Sequence, residues 1–374
     1  MTGREKIRAA FTADGTPEIG VVSAYEDIII RDHFAAITRL PWWEAYGTVG
    51  LARDFVAATG IEWLTVRPGP SRAERARQRQ EQRADGVWVI DGGTGREWRL
   101  EEPKPSGTNT NCARSTHTDL DSLPATRSAI DALIPPAPEF DRATFLAEGR
   151  QDSAVAIRES LDLFLYGQVG TPIWSLYGLF GYEGLMVLLG QRPDLAEYAA
   201  RRTLEELKQS IRMIAALGAD AVWLEECLTD QISPELFRKI NVPILQECVA
   251  AIRAAGMRSI YYFCGNPQDR LDAILEVGAD ALHFEEGKKG FTIDIADIVD
   301  RVRGRCLVFG NLDVLGLLPR ATEDQLRSEI RRQLAAGRRN RNRFVMSTGS
   351  PATPGTSVAQ VRRYTELVRE LGRG

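Results

Sequence analysis

The sequence predicts an α/β chain folded as a (β/α)8 barrel of the TIM type, with an N-terminal helical extension and a β-hairpin insertion. Three observations carry this. Between residues 218 and 350 one phrase recurs: a helix, a short polar turn, an apolar β-rich run, and polar residues where the run stops. The runs are too short and too apolar to face water, and the helical stretches between them are long enough to cross back over a sheet, so the strands are expected to be parallel. A chain of 374 residues with 44% hydrophobic side chains has the material for one large core.

The five runs are Ala-Val-Trp-Leu at 221–224, Ser-Ile-Tyr-Tyr-Phe at 259–263, Asp-Ala-Leu-His-Phe at 280–284, Cys-Leu-Val-Phe at 306–309 and Arg-Phe-Val-Met at 343–346. They end in Glu225, Glu226 and Cys227; in Cys264, Gly265 and Asn266; in Glu285 and Glu286; in Gly310, Asn311, Leu312 and Asp313; and in Ser347, Thr348, Gly349 and Ser350. In a closed parallel barrel all of these ends meet at one mouth.

Upstream, residues 2–12 predict a short helix, with Thr2 as cap and Ile7, Ala10 and Phe11 at helical spacing. An extended segment at 17–22 ends in Ser23, Ala24, Tyr25, Glu26 and Asp27, a mostly helical stretch broken at Pro41 covers 28–60, and 61–67 suits a strand. Residues 71–106 change character: a charged run gives way to two apolar or alternating stretches around a Gly-rich turn, predicting a charged helix plus a β-hairpin insertion. Residues 107–140 read as a loop-rich connection inside a single barrel domain spanning 1–374. A helix from Asp141 or Thr144, a strand at 163–169, a helix through Leu189, and a long helix or broken pair over 193–217 complete the chain.

The net charge of −4 leaves no electrostatic footprint for nucleic acid, and the Arg-rich runs at 72–83 and 338–343 suit solvated surface. No apolar segment approaches the ~20 residues of a bilayer span, and the start lacks a signal peptide's apolar core, so a cytoplasmic protein is expected. The 5 cysteines show no C-x-x-C pairing, which favours reduced thiols.

The phrases Gly-Thr-Pro-Ile-Trp-Ser at 170–175, Gly-Ala-Asp-Ala at 218–221 with Ile-Ser-Pro-Glu-Leu-Phe at 232–237, Cys-Gly-Asn at 264–266, Gly-Ala-Asp-Ala-Leu at 278–282, Gly-Asn-Leu-Asp at 310–313, and Ser-Thr-Gly at 347–349 followed by Thr353-Pro354 stand in this order. The chain thereby resembles the uroporphyrinogen decarboxylase superfamily, which includes corrinoid-linked methyltransferases, and the barrel is expected to be of that type. The Arg-rich porphyrinogen-binding segment of the decarboxylases is not recognisable here, so the resemblance lies nearer the methyltransferase branch. There a His-x-Cys pair and a late Cys hold zinc. This chain keeps Cys264, but has Tyr262 at the His position and Ser350 at the late Cys position.

The resemblance implies methyl transfer to or from a small molecule, with methylcobalamin carried on a partner corrinoid protein, zinc at the mouth, and a possible homodimer. Catalytic candidates are Glu225, Glu226, Tyr262, Asn311 and Asp313; Ser347, Thr348 and Ser350 are candidates for holding an anionic cofactor group; Cys264, Glu226, His283 and Glu285 are candidate metal ligands, with Cys227 as an alternative thiolate. Each has a structural alternative. Cys264 suits a packed thiol, His283 a hydrogen-bonded core residue, and Glu285 and Glu286 ion pairs with Lys288 and Lys289. Asp313 suits a loop tie, and the Ser/Thr turn a cap for the last helix. Adjacent strand residues face opposite ways, so only one of Glu225 and Glu226 is expected in the mouth. Rival functions are a metal-free decarboxylase or lyase using Glu225, Glu226 and Asp313, and a non-catalytic ligand-binding barrel.

Overall fold

The computed structural model describes residues 1–105, 120–287, 290–352 and 355–373. Cys112, Lys288, Lys289, Thr353, Pro354 and the 107–119 part of the predicted 107–140 connection lie outside the described residues.

The first two strands, β1 (Gly20–Val21) and β2 (Trp63–Thr65), flank the N-terminal helices. β3 (Gln78–Arg83), β4 (Gly86–Asp91) and β5 (Glu97–Arg99) form a separate antiparallel sheet. β6 (Phe164–Gly170), β7 (Ala221–Cys227), β8 (Arg258–Cys264), β9 (Ala281–Phe284), β10 (Leu307–Phe309) and β11 (Phe344–Met346) follow. Eight strands join in the order β1-β11-β10-β9-β8-β7-β6-β2, every pair parallel. The ring closes between β1 and β2 through a narrow seam. Glu62 N donates to Val21 O at 3.1 Å, and the Glu62 carboxylate accepts from Val21 N at 2.8 Å. That carboxylate also meets Lys6 at 3.3 Å from helix Gly3–Ala10 and Arg369 at 3.2 Å from helix Val358–Leu371.

Inside the ring, alternate side chains of neighbouring strands point at one another, and six of them are flat. Trp63–Tyr166 (4.5 Å between ring centroids), Tyr166–Trp223 (5.8 Å), Trp223–Tyr262 (4.8 Å), Tyr262–His283 (5.0 Å), His283–Phe309 (5.4 Å) and Phe309–Trp63 (5.5 Å) make a closed circuit around the barrel axis. The barrel is therefore filled, not hollow, and everything that reacts must sit above this plug. Truncating one of its members, such as Phe309→Ala, is expected to cost about 3–5 kcal/mol. Outward residues, including Leu224, Tyr261, Phe263, Leu282 and Val308, pack under the helices.

The structure corrects several boundaries. The predicted 17–22 strand shrinks to two residues, and the 28–60 stretch divides into Glu26–Asp32, Phe34–Ile37, Trp42–Ala45 and Val49–Thr59. The 193–217 segment is one helix, Pro193–Ala216. The charged run after Ser71 is a short helix, Arg72–Arg77, capped by Ser71 and Glu74, and then a strand, so the insertion has three strands and not a hairpin's two. No helix among the described residues is long and apolar enough to cross a membrane.

Candidate active site

Strand β7 ends in two carboxylates with opposite fates. Glu225 continues the inward series of Ala221 and Trp223 and reaches the mouth just above the plug, where it is 6% exposed. Its Oε1 accepts from the Tyr25 hydroxyl at 2.7 Å and its Oε2 from Gln168 Nε2 at 2.9 Å; the Cys227 thiol lies 3.9 Å away. Burial raises its pKa, and the bonds from Tyr25 and Gln168 oppose that shift.

Glu226 points the other way, behind the sheet, and is 0% exposed. Asn241 Nδ2 donates to it at 3.1 Å and the Tyr261 hydroxyl at 3.4 Å, while burial lifts its pKa to about 8. Asn241 is aimed there by the one-residue-wider turn at Phe237–Asn241, which precedes helix Val242–Ala254. The sequence placed Glu226 among the catalytic and metal residues. The structure places it on the far face of the strand from Cys264 and Glu285.

Tyr25 is what turns Glu225 into a site. It holds a left-handed conformation (φ 53°) at the end of the first strand segment, and its ring stands edge-on over Trp223 (4.9 Å) and Tyr262 (5.7 Å). Burial, followed by neighbouring Tyr262, Glu225 and the two thiols, pushes its pKa well up, so the hydroxyl stays a donor. Tyr25 and Gln168 were not among the sequence candidates. The available signal was their position: each closes a strand run, as Glu225 does.

The opposite wall of the mouth is built from β8 to β11, and its groups are bonded to one another. Cys264 Sγ is 3.2 Å from Glu285 Oε2. His283, within the plug, places Nε2 3.0 Å from Thr348 O, and burial lowers its pKa to about 4, so it is neutral. Tyr262 donates to Gly349 O at 2.9 Å. Gly349 is required here, since a Cβ would lie 2.3 Å from Glu286 N. Asn311 donates to Ile293 O at 2.9 Å and Glu285 O at 3.3 Å, fixing the turn after β9. Asp313 accepts from Leu315 N at 2.8 Å and Gly316 N at 2.7 Å, which makes it a loop tie. Thr348 Oγ1 accepts from Ala24 N at 2.9 Å and meets Ser23 Oγ at 2.9 Å, while Ser347 Oγ donates to Thr348 O at 3.0 Å. Ser350 is buried beside them. The last helix is capped by Ser357, not by this turn.

A cavity of about 290 Å³ opens beside Glu225, bounded by Tyr25, Asp27, Arg31, Arg67 and Gln168. Behind it, Glu26 is sealed: it accepts from Tyr166 Oη at 2.5 Å and Thr65 N at 2.5 Å, and burial raises its pKa to about 8.

The zinc that the resemblance implies needs several donors converging on one point. Cys264 and Glu285 come together, but Glu226 is behind the sheet and His283 is engaged in the plug. Among the described residues no group of three or more His, Cys, Asp or Glu side chains is arranged to hold a metal ion. The residues do not fit a zinc centre of that type.

With the geometry established, comparison with known proteins locates the chain. The family model described as uroporphyrinogen decarboxylase (URO-D) matches residues 101–371. The chain belongs to the uroporphyrinogen decarboxylase family. Among curated relatives, the uroporphyrinogen decarboxylase of Chlorobaculum tepidum is 23% identical over 207 residues, 53% of this chain and 57% of that protein. The enzyme of Myxococcus xanthus is 26% identical over 217 residues, 54% and 58% of the two chains. The chain thus spans under two thirds of the length of these relatives. A solved structure described as a methyltransferase from Methanosarcina mazei superposes with TM-score 0.65 at 18% identity, covering 99% of both chains. The barrel is accordingly of the uroporphyrinogen decarboxylase type, as the six ordered phrases imply, and this solved structure shares its fold.

Proposed function

We propose that this family member transfers a methyl group from an oxygen or nitrogen of a small molecule to a carrier, with Glu225 as the proton donor to the leaving atom. The observation that carries this reading is a desolvated carboxyl at the barrel mouth, held by Tyr25 and Gln168 and facing a cavity. Desolvation favours its protonated form, which suits a general acid. When the carbon–oxygen bond breaks, the oxygen keeps the electron pair and takes the Glu225 proton. The resulting carboxylate is already met by the Tyr25 hydroxyl and the Gln168 amide at 2.7 and 2.9 Å. A corrinoid protein is the proposed partner and would take up the methyl group. The end-to-end superposition on a protein described as a methyltransferase supports methyl transfer as the reaction class. No step is assigned to a metal.

A second reading, decarboxylation of an acidic small molecule, uses the same residue: Glu225 would protonate the carbon from which CO2 departs. The curated relatives named as decarboxylases favour it. One experiment separates the two. The protein is incubated with O-methyl and N-methyl compounds and free cob(I)alamin, and methylcobalamin is followed by its absorbance; in parallel, CO2 release is measured from the corresponding acids. Methylcobalamin formed only with wild-type Glu225 supports methyl transfer. Release of CO2 alone supports decarboxylation, and neither product with any compound overturns both.

A further inference from the structure

A second and larger cavity, about 650 Å³, lies beside the one at Glu225. It is enclosed by helices Glu26–Asp32, Val49–Thr59 and Asp152–Ser160 and by the segment following β2. Its inner surface is mostly apolar: Ile28, Leu51, Leu64, Val66 and Ile157 line it, each keeping a few per cent of its surface accessible where a sealed core residue keeps none, while Glu26, Thr48 and Thr65 are among its polar lining. The two cavities share Asp27, Ile28, Arg31 and Arg67, which form a neck between them.

The neck is charged and nearly self-satisfied. Arg67 pairs with Asp27 at 2.9 Å and Arg31 Nε with Asp32 at 2.8 Å. What remains is a donor: Arg31 Nη2 is buried and has no hydrogen-bond partner among the described residues. A buried guanidinium nitrogen without an acceptor is unfavourable, and since the Arg31 side chain is 27% exposed and lines both cavities, a small rotation would bring that nitrogen onto a ligand oxygen. The volumes bear on ligand size. The mouth cavity of about 290 Å³ sits at the lower edge of the range usual for small-molecule sites, and the adjoining 650 Å³ lies well inside it, so together they have room for a ligand larger than the mouth cavity alone would hold.

We infer that the ligand is an apolar carboxylate: an aromatic or branched hydrocarbon body seated in the larger cavity, with its carboxylate on Arg31 at the neck. Its other polar end reaches Glu225. The last clause rests on the reading of Glu225 as the reacting centre; the occupancy of the side cavity does not. The cavity thereby sets specificity, excluding small methyl compounds that gain nothing from its walls.

Calorimetric titration with 4-tert-butylbenzoate and with 4-tert-butylbenzyl alcohol isolates the carboxylate from the hydrocarbon. Wild-type protein is expected to bind the acid about tenfold or more tightly than the alcohol. Arg31→Met should abolish that preference while still binding the alcohol. Leu51→Trp, which fills the cavity, should weaken both about tenfold or more; Ala52→Leu serves if circular dichroism shows the tryptophan variant unfolded. Equal affinity of the two probes, a preference that survives Arg31→Met, or binding untouched by cavity filling would overturn the inference. The measurement needs no turnover, so absent methyl transfer with intact binding counts against Glu225 chemistry alone.

Discussion

The two walls of the barrel mouth are made differently. On one, β9 to β11 and their turns present His283, Glu285, Asn311, Ser347 and Thr348, whose bonds run to neighbouring carbonyls, amides and hydroxyls of the same wall or of the first strand. On the other, Tyr25, Gln168 and Glu225 form a three-member set that opens on the smaller of two adjacent cavities. A polar residue at the carboxyl end of a barrel strand is thus not by itself a reacting residue. One wall spends its polar groups on holding the turns in place, and the other leaves its groups facing space.

Four measurements would break or sharpen that contrast. The largest effect is expected on the open wall: Glu225→Gln should lower kcat about a hundredfold to ten-thousandfold with an unchanged melting curve. Full activity in this variant would remove the distinction. On the closed wall Asn311→Ala should instead lose stability on the order of 2–4 kcal/mol in urea unfolding, because two buried carbonyls lose their donor. Its kcat should change little, and a collapse of turnover at full stability would assign Asn311 to the chemistry.

Glu226 tests the idea from behind the sheet. Its folded-state pKa of about 8 exceeds the ordinary value of 4.5, so between those values the folded protein holds a proton that the unfolded chain releases. Stability should therefore decline as pH rises from 4.5 to 8. Unfolding at pH 5 and pH 8 should show a smaller decline for Glu226→Gln, and an identical one would place the titration elsewhere. The smallest effect is expected from Tyr25→Phe. It removes a bond that favours the ionised Glu225, raising that pKa further. An acid active in its protonated form loses activity as pH rises through its pKa, so the falling limb of the rate profile should move to higher pH. A shift to lower pH would contradict the role given to Tyr25.

The same contrast explains what could be read beforehand. The runs at 221–224, 259–263, 280–284, 306–309 and 343–346 were legible because a barrel strand is buried on both faces and must be apolar throughout. β3 was not, since Gln-Arg-Gln-Glu-Gln-Arg pairs through its backbone in an exposed sheet and carries no apolar alternation. Glu225 was legible as the terminus of a strand, and alternation foretold that only one of Glu225 and Glu226 would face the mouth, without choosing between them. Tyr25 was not, because its role depends on a contact 200 residues away and on a left-handed turn that nothing in local composition demands. Arg31 was not, because its place beside two cavities follows from the tertiary fold. Tyr262 was singled out by its place in the family phrase and His283 by sharing a strand face with Glu285. The structure sets both rings in the aromatic circuit, which for His283 is the core alternative the sequence also allowed.

The closing of the ring by Glu62 has a mechanical corollary. Every other neighbouring pair of strands is laced by a ladder, but this junction is a clasp, gripped by a lysine on one side and an arginine on the other. A hoop fastened that way yields first at its buckle, and the buckle adjoins the strand whose far end borders the larger cavity. Backbone amides at Val21 and Glu62 should exchange with heavy water ahead of those of β7 and β8, and neutralising Glu62 should widen that gap.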